Sequence, residues 1–414
     1  MFERRAIVGA LALALAACSS GGDSGSASTT PPSPGSTTPS PQPGSTTPSP
    51  PPDSTTPSPP PGSTTPSPQP GAPTQGAPVS ALFVLGDSLS DVGNAAGAVD
   101  YVLGKTIAPP TVGLCNPFDV LVLSRGCEDV IYRKSRVSDG PVAVEYLATG
   151  LGVTTLGPSF HVVPSRPSNG TDYAVASAKA RGGGAADLGR QVDVLLLDRA
   201  PLATAAVFVV IIGGNDAIDA LQAANAGGPT AGASSAAIVT AAVAAIGDSL
   251  ERLLDFGARR LVVANVPDLA ALPSVRETAQ SSAMPETVLA TATAVSDDFD
   301  RELAARLDVI EAKRAWDSPQ PPVIVRFDLR AALAAVQQAA EQRGANATDA
   351  CFDSDAYRDS ALAARNFHPD CAPLAGGAPR FAGFVFWDDV HPTGATHSAV
   401  GAALIAEIEA KLHL

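Results

Sequence analysis

From residue 81 onward, short apolar runs rich in Val, Ile and Leu recur between longer stretches whose apolar positions follow helical spacing. The runs 81–85, 206–212, 260–265 and 323–327 predict strands, and 153–156 predicts a fifth. Most of them are continuously apolar instead of alternating, which is the pattern of strands buried on both faces in a parallel sheet. Helical patterns cover 141–149, 188–198, 236–256, 285–310, 329–341 and 393–412. Within 236–256, Ile246, Leu250, Leu253 and Leu254 fall on one face and predict burial against the sheet. Strand and helix in alternation predict an α/β protein: a three-layer α/β/α sandwich around a mainly parallel sheet of about five strands.

Ahead of residue 78 the pattern stops. Residues 19–76 are almost only Ser, Thr, Pro, Gly and Gln, with a nine-residue unit of the type PGSTTPSPQ starting at Pro34, Pro43, Pro52 and Pro61. Such a tract has almost no apolar groups to offset ordering entropy, and its prolines hold it extended, so a disordered, semi-rigid tether is expected over 18–77. Arg4 and Arg5 followed by the apolar run 6–17 read as a signal peptide, too short for a permanent membrane span. The run ends Leu15-Ala16-Ala17-Cys18, which resembles the lipobox of bacterial lipoproteins. That resemblance implies removal of 1–17, acylation of Cys18 and anchoring to a membrane; Ser19 after it implies the outer membrane or cell surface of a bacterium. One globular domain, 78–414, follows.

Composition narrows the function further. A formal net charge of -14, with no clustered Lys or Arg, argues against a nucleic-acid partner. Four cysteines follow Cys18, namely Cys115, Cys127, Cys351 and Cys371, and in an exported chain an even number suggests two disulfides with three connectivities open. The local pairings, Cys115 with Cys127 and Cys351 with Cys371, are favoured because each closes a loop short in sequence. Neither pair has the short spacing of a metal site, and the acidic stretch 349–359 lacks the ligand spacing of a calcium loop, so no metal is expected.

Candidate chemistry begins at Phe83-Val84-Leu85-Gly86-Asp87-Ser88-Leu89-Ser90-Asp91, an apolar strand followed by a glycine turn and a serine. The carboxyl end of a parallel strand is where ligands bind, and Ser88 there can meet the dipole of a following helix as a nucleophile. Gly247-Asp248-Ser249-Leu250 repeats the four letters between helix formers, so Ser249 is assigned no chemistry. A serine hydroxyl needs a base, and the chain has His161, His368, His391, His397 and His413. His391 lies in Trp387-Asp388-Asp389-Val390-His391-Pro392-Thr393-Gly394, a loop opening the last helix, with Asp388 three residues before it as orienter and Asp389 as a fallback. The other four histidines read as surface or satisfied core. Gly213-Gly214-Asn215-Asp216 follows the run 206–212, and the Asn215 amide there can meet a developing oxyanion.

FVLGDSLSDVGN, IGGNDA and FWDDVHPTGATH closely resemble the first, third and fifth sequence blocks of the GDSL or SGNH hydrolases. The stretches from Ser138, Phe256 and Asp297 add to the likeness, which spans about 81–412 and is similar to the branch with plant extracellular lipases and bacterial autotransporter esterases. It implies a flavodoxin-like sheet and a secreted or surface-anchored serine ester hydrolase working without a cofactor. Ser88, Asp388 and His391 would be catalytic, and an oxyanion hole would be made by the amides of Ser88 and of the second block with Asn215. The second block departs from the family: Asp172 to Ala178 reads DYAVASA, and Ser177 stands where an oxyanion glycine is usual. A main-chain donor tolerates that change if the local dihedrals suit a residue with a Cβ. Substrates within reach of the family are small-molecule or lipid esters, including phospholipids, an acyl acceptor alcohol or an acetylated polysaccharide. A catalytically weak surface-binding module of the same fold is the competing class. The insertion 91–136, with Leu121 and Leu123, is read either as an apolar wall for an acyl chain or as a flap with its own core. A monomer is the simplest expectation.

Overall fold

A computed structural model describes residues 78–102, 136–163, 170–352, 367–371 and 380–414. The expected signal peptide and tether, with Cys18, Cys115, Cys127 and most of the insertion 91–136, lie outside the described residues.

Four strands form the main sheet: β1 (Leu82–Gly86), β2 (Val207–Ile211), β3 (Arg260–Ala264) and β4 (Val323–Phe327), parallel and adjacent in that order. Their side chains alternate between two apolar layers. Phe83, Leu85, Phe208, Val210, Leu261 and Val263 enter one core, while Leu82, Val84, Val207, Val209, Val262 and Val325 enter the other. Each fully buried side chain of this size contributes roughly 1.5–3 kcal/mol of transfer free energy, and burial on both sides explains why the strands carry no polar alternation. The first core is covered by α3 (Leu188–Arg199), α5 (Ala231–Asp255) and α7 (Pro285–Asp317), with α4 (Gly214–Asn225) packed on α5 and α7. The second is covered by α2 (Ala143–Gly150), α8 (Leu329–Gln342) and α9 (Gly394–Leu412). The three-layer α/β/α arrangement is thus as the sequence pattern predicts.

Residues 153–156 do not form the expected fifth strand. They are irregular chain after α2, with Thr154 and Thr155 exposed. Their β-branched composition suits a strand, but only Val153 and Leu156 reach the second core, and these only in part. The position beside β1 is taken by 171–175. Val84 N–H donates to the Thr171 carbonyl at 3.0 Å, Tyr173 N–H to Val84 at 2.7 Å and Val175 N–H to Gly86 at 3.1 Å. With this segment included, spatial order runs 171–175, β1, β2, β3, β4, the flavodoxin-like order.

Elements absent from the sequence reading are α1 (Asn94–Val102), α4, α6 (Pro273–Gln280) and a small parallel pair, β5 (Asn346–Ala350) and β6 (Phe384–Phe386). α6 buries only Pro273, Val275 and Ala279, too few apolar positions for a readable period. The small sheet matters to the site because it ends beside the loop after β6. Cys351 N–H donates to the Phe386 carbonyl and Phe352 N–H to that of Trp387. Cys351 is bridged to Cys371, with Cα atoms 5.4 Å apart, so the favoured second pairing is present.

Candidate active site

β1 ends in a turn that only glycine can open. A Cβ on Gly86 would stand 2.3 Å from the Ile211 carbonyl oxygen of β2, so a side chain here would force the two strands apart. Two residues later Ser88 projects from the turn, 7% exposed. The next helix, α1, starts only at Asn94, so Ser88 does not sit at a helix N-terminus as expected. The first turn of α1 is instead occupied by Asp91, whose carboxylate accepts the N–H groups of Gly93, Asn94 and Ala95. This caps the helix.

The carboxylate of Asp91 also accepts Ala176 N–H at 2.8 Å, tying the first block to the second. Asn94 adds to the tie: its amide donates to the carbonyls of Asp172 and Ala174, and its Oδ1 accepts Phe160 N–H at 2.7 Å. Asp172 accepts the N–H groups of Val92 and Ala174. Burial pushes the pKa of Asp172 well above its ordinary value, with the Asp91 charge adding to it against the hydrogen bonds. These buried acids are the structural meaning of the Ser90-to-Asn94 motif.

The segment they hold presents Ser177 at φ 68°, in the left-handed region. The glycine-like backbone of this position is therefore kept although a Cβ is present, at a cost of roughly 1–2 kcal/mol. Ser177→Gly is expected to raise unfolding free energy by about 0.5–1 kcal/mol, the strain relief less the added entropy of the unfolded chain. Urea denaturation checks this, and a variant less stable than the parent would contradict it.

The loop after β6 carries His391 and Asp388. Trp387, fully buried, donates its backbone N–H to the His391 carbonyl at 2.8 Å, and Thr393 N–H returns to the Val385 carbonyl at 2.9 Å, closing a tight loop across 386–392. Inside it Asp388 Oδ1 accepts Val390 N–H at 2.8 Å and His391 N–H at 2.5 Å. The same carboxylate faces His391 Nδ1, at 2.9 Å from Oδ2. On the other side of the ring, Nε2 is 2.7 Å from Ser88 Oγ. Burial opposes the imidazolium, yet the Asp388 charge and hydrogen bond, with Asp389 and Asp87, raise the pKa of His391 above its ordinary 6.5. Asp388, not Asp389, is the carboxylate on the ring; the Asp389 carbonyl accepts Ser274 N–H from the start of α6.

Asp87 lies beneath this line, buried, accepting Leu89 N–H at 3.1 Å. Burial raises its pKa to about 7, with hydrogen bonding to Leu89 and the His391 charge acting against that and Asp216 adding to it.

Asn215 sits in the first turn of α4, behind Gly213 at φ 114°. A Cβ on Gly213 would meet Phe299 Cζ of α7 at 2.5 Å, so both conformation and space demand glycine. The Asn215 amide donates one hydrogen to the Ala178 carbonyl at 3.0 Å, which sets it beside Ser177 and leaves its second hydrogen available. Among the described residues, the backbone N–H groups of Ser88 and Ser177 donate to no acceptor. These three unspent donors are the ones that the family resemblance assigns to an oxyanion site.

The remaining candidates fall away from this line. Ser249 is inside α5 and buried, as its helical setting predicts. His397, in the first turn of α9, is buried. Its Nδ1 accepts Ala143 N–H at 3.3 Å, and its Nε2 has no partner among the described residues, so it is not a fully satisfied core histidine. Burial, then the His391 charge, pushes its pKa down to about 3. His161 lies 2.9 Å from Ser159 Oγ, His368 flanks Asp349 and Asp370, and His413 ends α9. One participant was missed: Gln191 of α3, fully buried, grips the backbone of Gly86. A polar residue inside the apolar stripe Leu188, Val192, Leu195 was the available signal.

The fold and site define a three-layer α/β protein that carries a serine, a histidine and an aspartate in hydrogen-bond sequence at the carboxyl end of its parallel sheet. The family model for GDSL-like Lipase/Acylhydrolase matches residues 82–404, well over half of the chain. The chain belongs to that family, one of esterase- and lipase-type hydrolases. Over 165 residues it is 29% identical to the thermolabile hemolysin of Vibrio parahaemolyticus serotype O3:K6, a stretch that is 38% of this chain and 34% of that protein. The chain therefore spans about a third of this relative's length.

Proposed function

We propose that this chain is an exported, lipid-anchored serine hydrolase that cleaves carboxylic esters through an acyl-serine intermediate. The observation that carries the reading is the unbroken line Asp388, His391, Ser88, with contacts of 2.9 and 2.7 Å. In this reading Ser88 Oγ bonds the ester carbonyl carbon while His391 Nε2 takes its proton, and Asp388 holds the ring with Nδ1 protonated. The carbonyl oxygen, now an anion, is met by the N–H groups of Ser88 and Ser177 and the spare hydrogen of Asn215. His391 then gives its proton to the departing alcohol. Water, deprotonated by the same nitrogen, repeats the sequence and releases the acid. No cofactor enters.

Substrates are small-molecule or lipid esters; the name of the hemolysin relative makes membrane lipid esters the first to try. Acylated Cys18 would hold the tether to the outer membrane or cell surface, with the catalytic domain as a monomer at its end. The acidic net charge of -14 keeps nucleic acids out of the partner list.

The reading is tested by exposing the purified chain to a fluorophosphonate probe, locating the label by peptide mass spectrometry, and assaying p-nitrophenyl esters from acetate to palmitate. A label on Ser88 with turnover of any chain length is the expected result. A folded chain that leaves Ser88 unlabelled and all esters intact would favour the surface-binding module. Incorporation of a labelled fatty acid that depends on Cys18 tests the anchor.

A further inference from the structure

We infer that Gln191 is a positioning residue for the nucleophile, its side-chain amide completing the sheet where the backbone cannot. The inference rests on the serine-hydrolase reading above. In a parallel ladder, Gly86 N–H would donate to the neighbouring chain segment 171–175. That segment pairs with β1 through Val84 and sends Val175 N–H to the Gly86 carbonyl. It then turns away so that Ser177 can adopt φ 68°. Gly86 N–H, whose ladder acceptor would be the Tyr173 carbonyl, has no main-chain acceptor among the described residues, at the last residue before the Asp87-Ser88 turn.

Gln191 enters that gap from α3. Its Oε1 accepts Gly86 N–H at 2.8 Å and its Nε2 donates to the Gly86 carbonyl at 2.8 Å and to the Ala186 carbonyl at 2.7 Å. Both amide atoms are used, and the residue is fully buried. Donor and acceptor on one amide copy what a strand residue would offer, so the turn carrying Ser88 is fixed from the side opposite Ile211, which accepts Asp87 N–H at 3.3 Å. Ala186 joins the clamp to the segment after the second block. One side chain therefore orders the end of β1 beside the segment that presents Ser177. Loss of the amide leaves a buried N–H unpaired and the Ser88 turn supported on one side only.

The test compares Gln191→Met, of similar length but without the amide, and Gln191→Asn, which keeps the amide one methylene short, with Leu333→Ala in the second core as a control for lost stability. The readouts are kcat, KM and the rate of fluorophosphonate labelling, all well below each Tm. Sub-ångström to ångström misplacement of a nucleophile lowers kcat by about 10- to 100-fold. That loss is expected in Gln191→Met, with slower labelling and KM within about threefold of the parent, a smaller loss in Gln191→Asn, and unchanged kcat in Leu333→Ala despite its lower Tm. A folded Gln191→Met with kcat within about twofold of the parent overturns the inference, as does an equal kcat loss in Leu333→Ala. Failure of both Gln191 variants to fold would make the residue a structural one and equally overturn it. Ester turnover by the parent chain, abolished in Ser88→Ala, reports on the underlying reading separately.

Discussion

Alanine at Ser88 is expected to lower kcat for ester hydrolysis by about 10⁴- to 10⁶-fold while leaving KM within a few-fold of the parent. The hydroxyl is the only atom removed, and it is the one at 2.7 Å from His391 Nε2. Substrate contacts and the donors of Ser88 N–H, Ser177 N–H and Asn215 stay, so the residual rate should remain above that of buffer alone. Ser249→Ala supplies the control within the same chain. It deletes a hydroxyl from an identical Gly-Asp-Ser-Leu tetrapeptide, but inside α5. Its kcat should lie within about twofold of the parent. Matched, modest losses in the two variants would remove Ser88 from the chemistry and with it the acyl-serine reading.

The second large effect belongs to Asp388. Asparagine there fits the same space, and its Oδ1 can still accept the N–H groups of Val390 and His391, so the loop should keep its shape. The change falls on the ring. With Oδ1 so engaged, the new amide presents a donor to Nδ1, which must then act as acceptor. That forces the proton onto Nε2, the atom that has to receive the Ser88 proton. The wrong tautomer is expected to cost about 10³- to 10⁴-fold in kcat.

The pH profile distinguishes this from a general disturbance. His391 works as a neutral base, so activity rises as pH increases through its pKa. Burial lowers that pKa, but Asp388, Asp389 and Asp87 together hold it above 6.5 in the parent chain. Removing the Asp388 charge is expected to move the acid limb of kcat/KM to lower pH, even as the plateau falls. Asp87, itself ionising at about 7, acts on the ring in the same sense in both proteins. An Asp388→Asn variant with an unmoved limb and less than about tenfold loss would show that Asp389 or another group orients the ring.

Much of this protein was legible in one dimension, and the reason is physical. The main strands are buried on both faces, so they appear as unbroken apolar runs, and three of the site's residues come from loops directly after such runs or before a long helix. Ser88, Asp388 and His391 could therefore be placed by local setting. The contrast with Ser249 works for the same cause: a helix on both sides leaves no strand end to expose it. Where the local signal was borrowed from propensity alone, it failed. Val153 to Leu156 have β-branched residues, but only Val153 and Leu156 are partly buried, and the place beside β1 went to 171–175, which has an Asp and a Tyr at its centre.

The sequence by itself determined the layered α/β class and the nucleophile and base candidates and favoured the pairing of Cys351 with Cys371, because each rests on a short-range pattern or a short loop. Tertiary structure alone decided the rest. Only the folded chain brings Ser88 and His391, 303 positions apart, to 2.7 Å. It shows how Asp388, the orienter the sequence preferred, is held: one carboxylate accepts two backbone N–H groups and faces the ring. It alone sets the backbone of Ser177 at φ 68°, since a dihedral depends on neighbours such as Asp91 and Asn94 that lie far away in sequence. And it placed Gln191 against Gly86, a contact across 105 positions that no periodicity could announce. What depends on which face a residue shows to its own element is written along the chain; what depends on which distant element arrives opposite it is not.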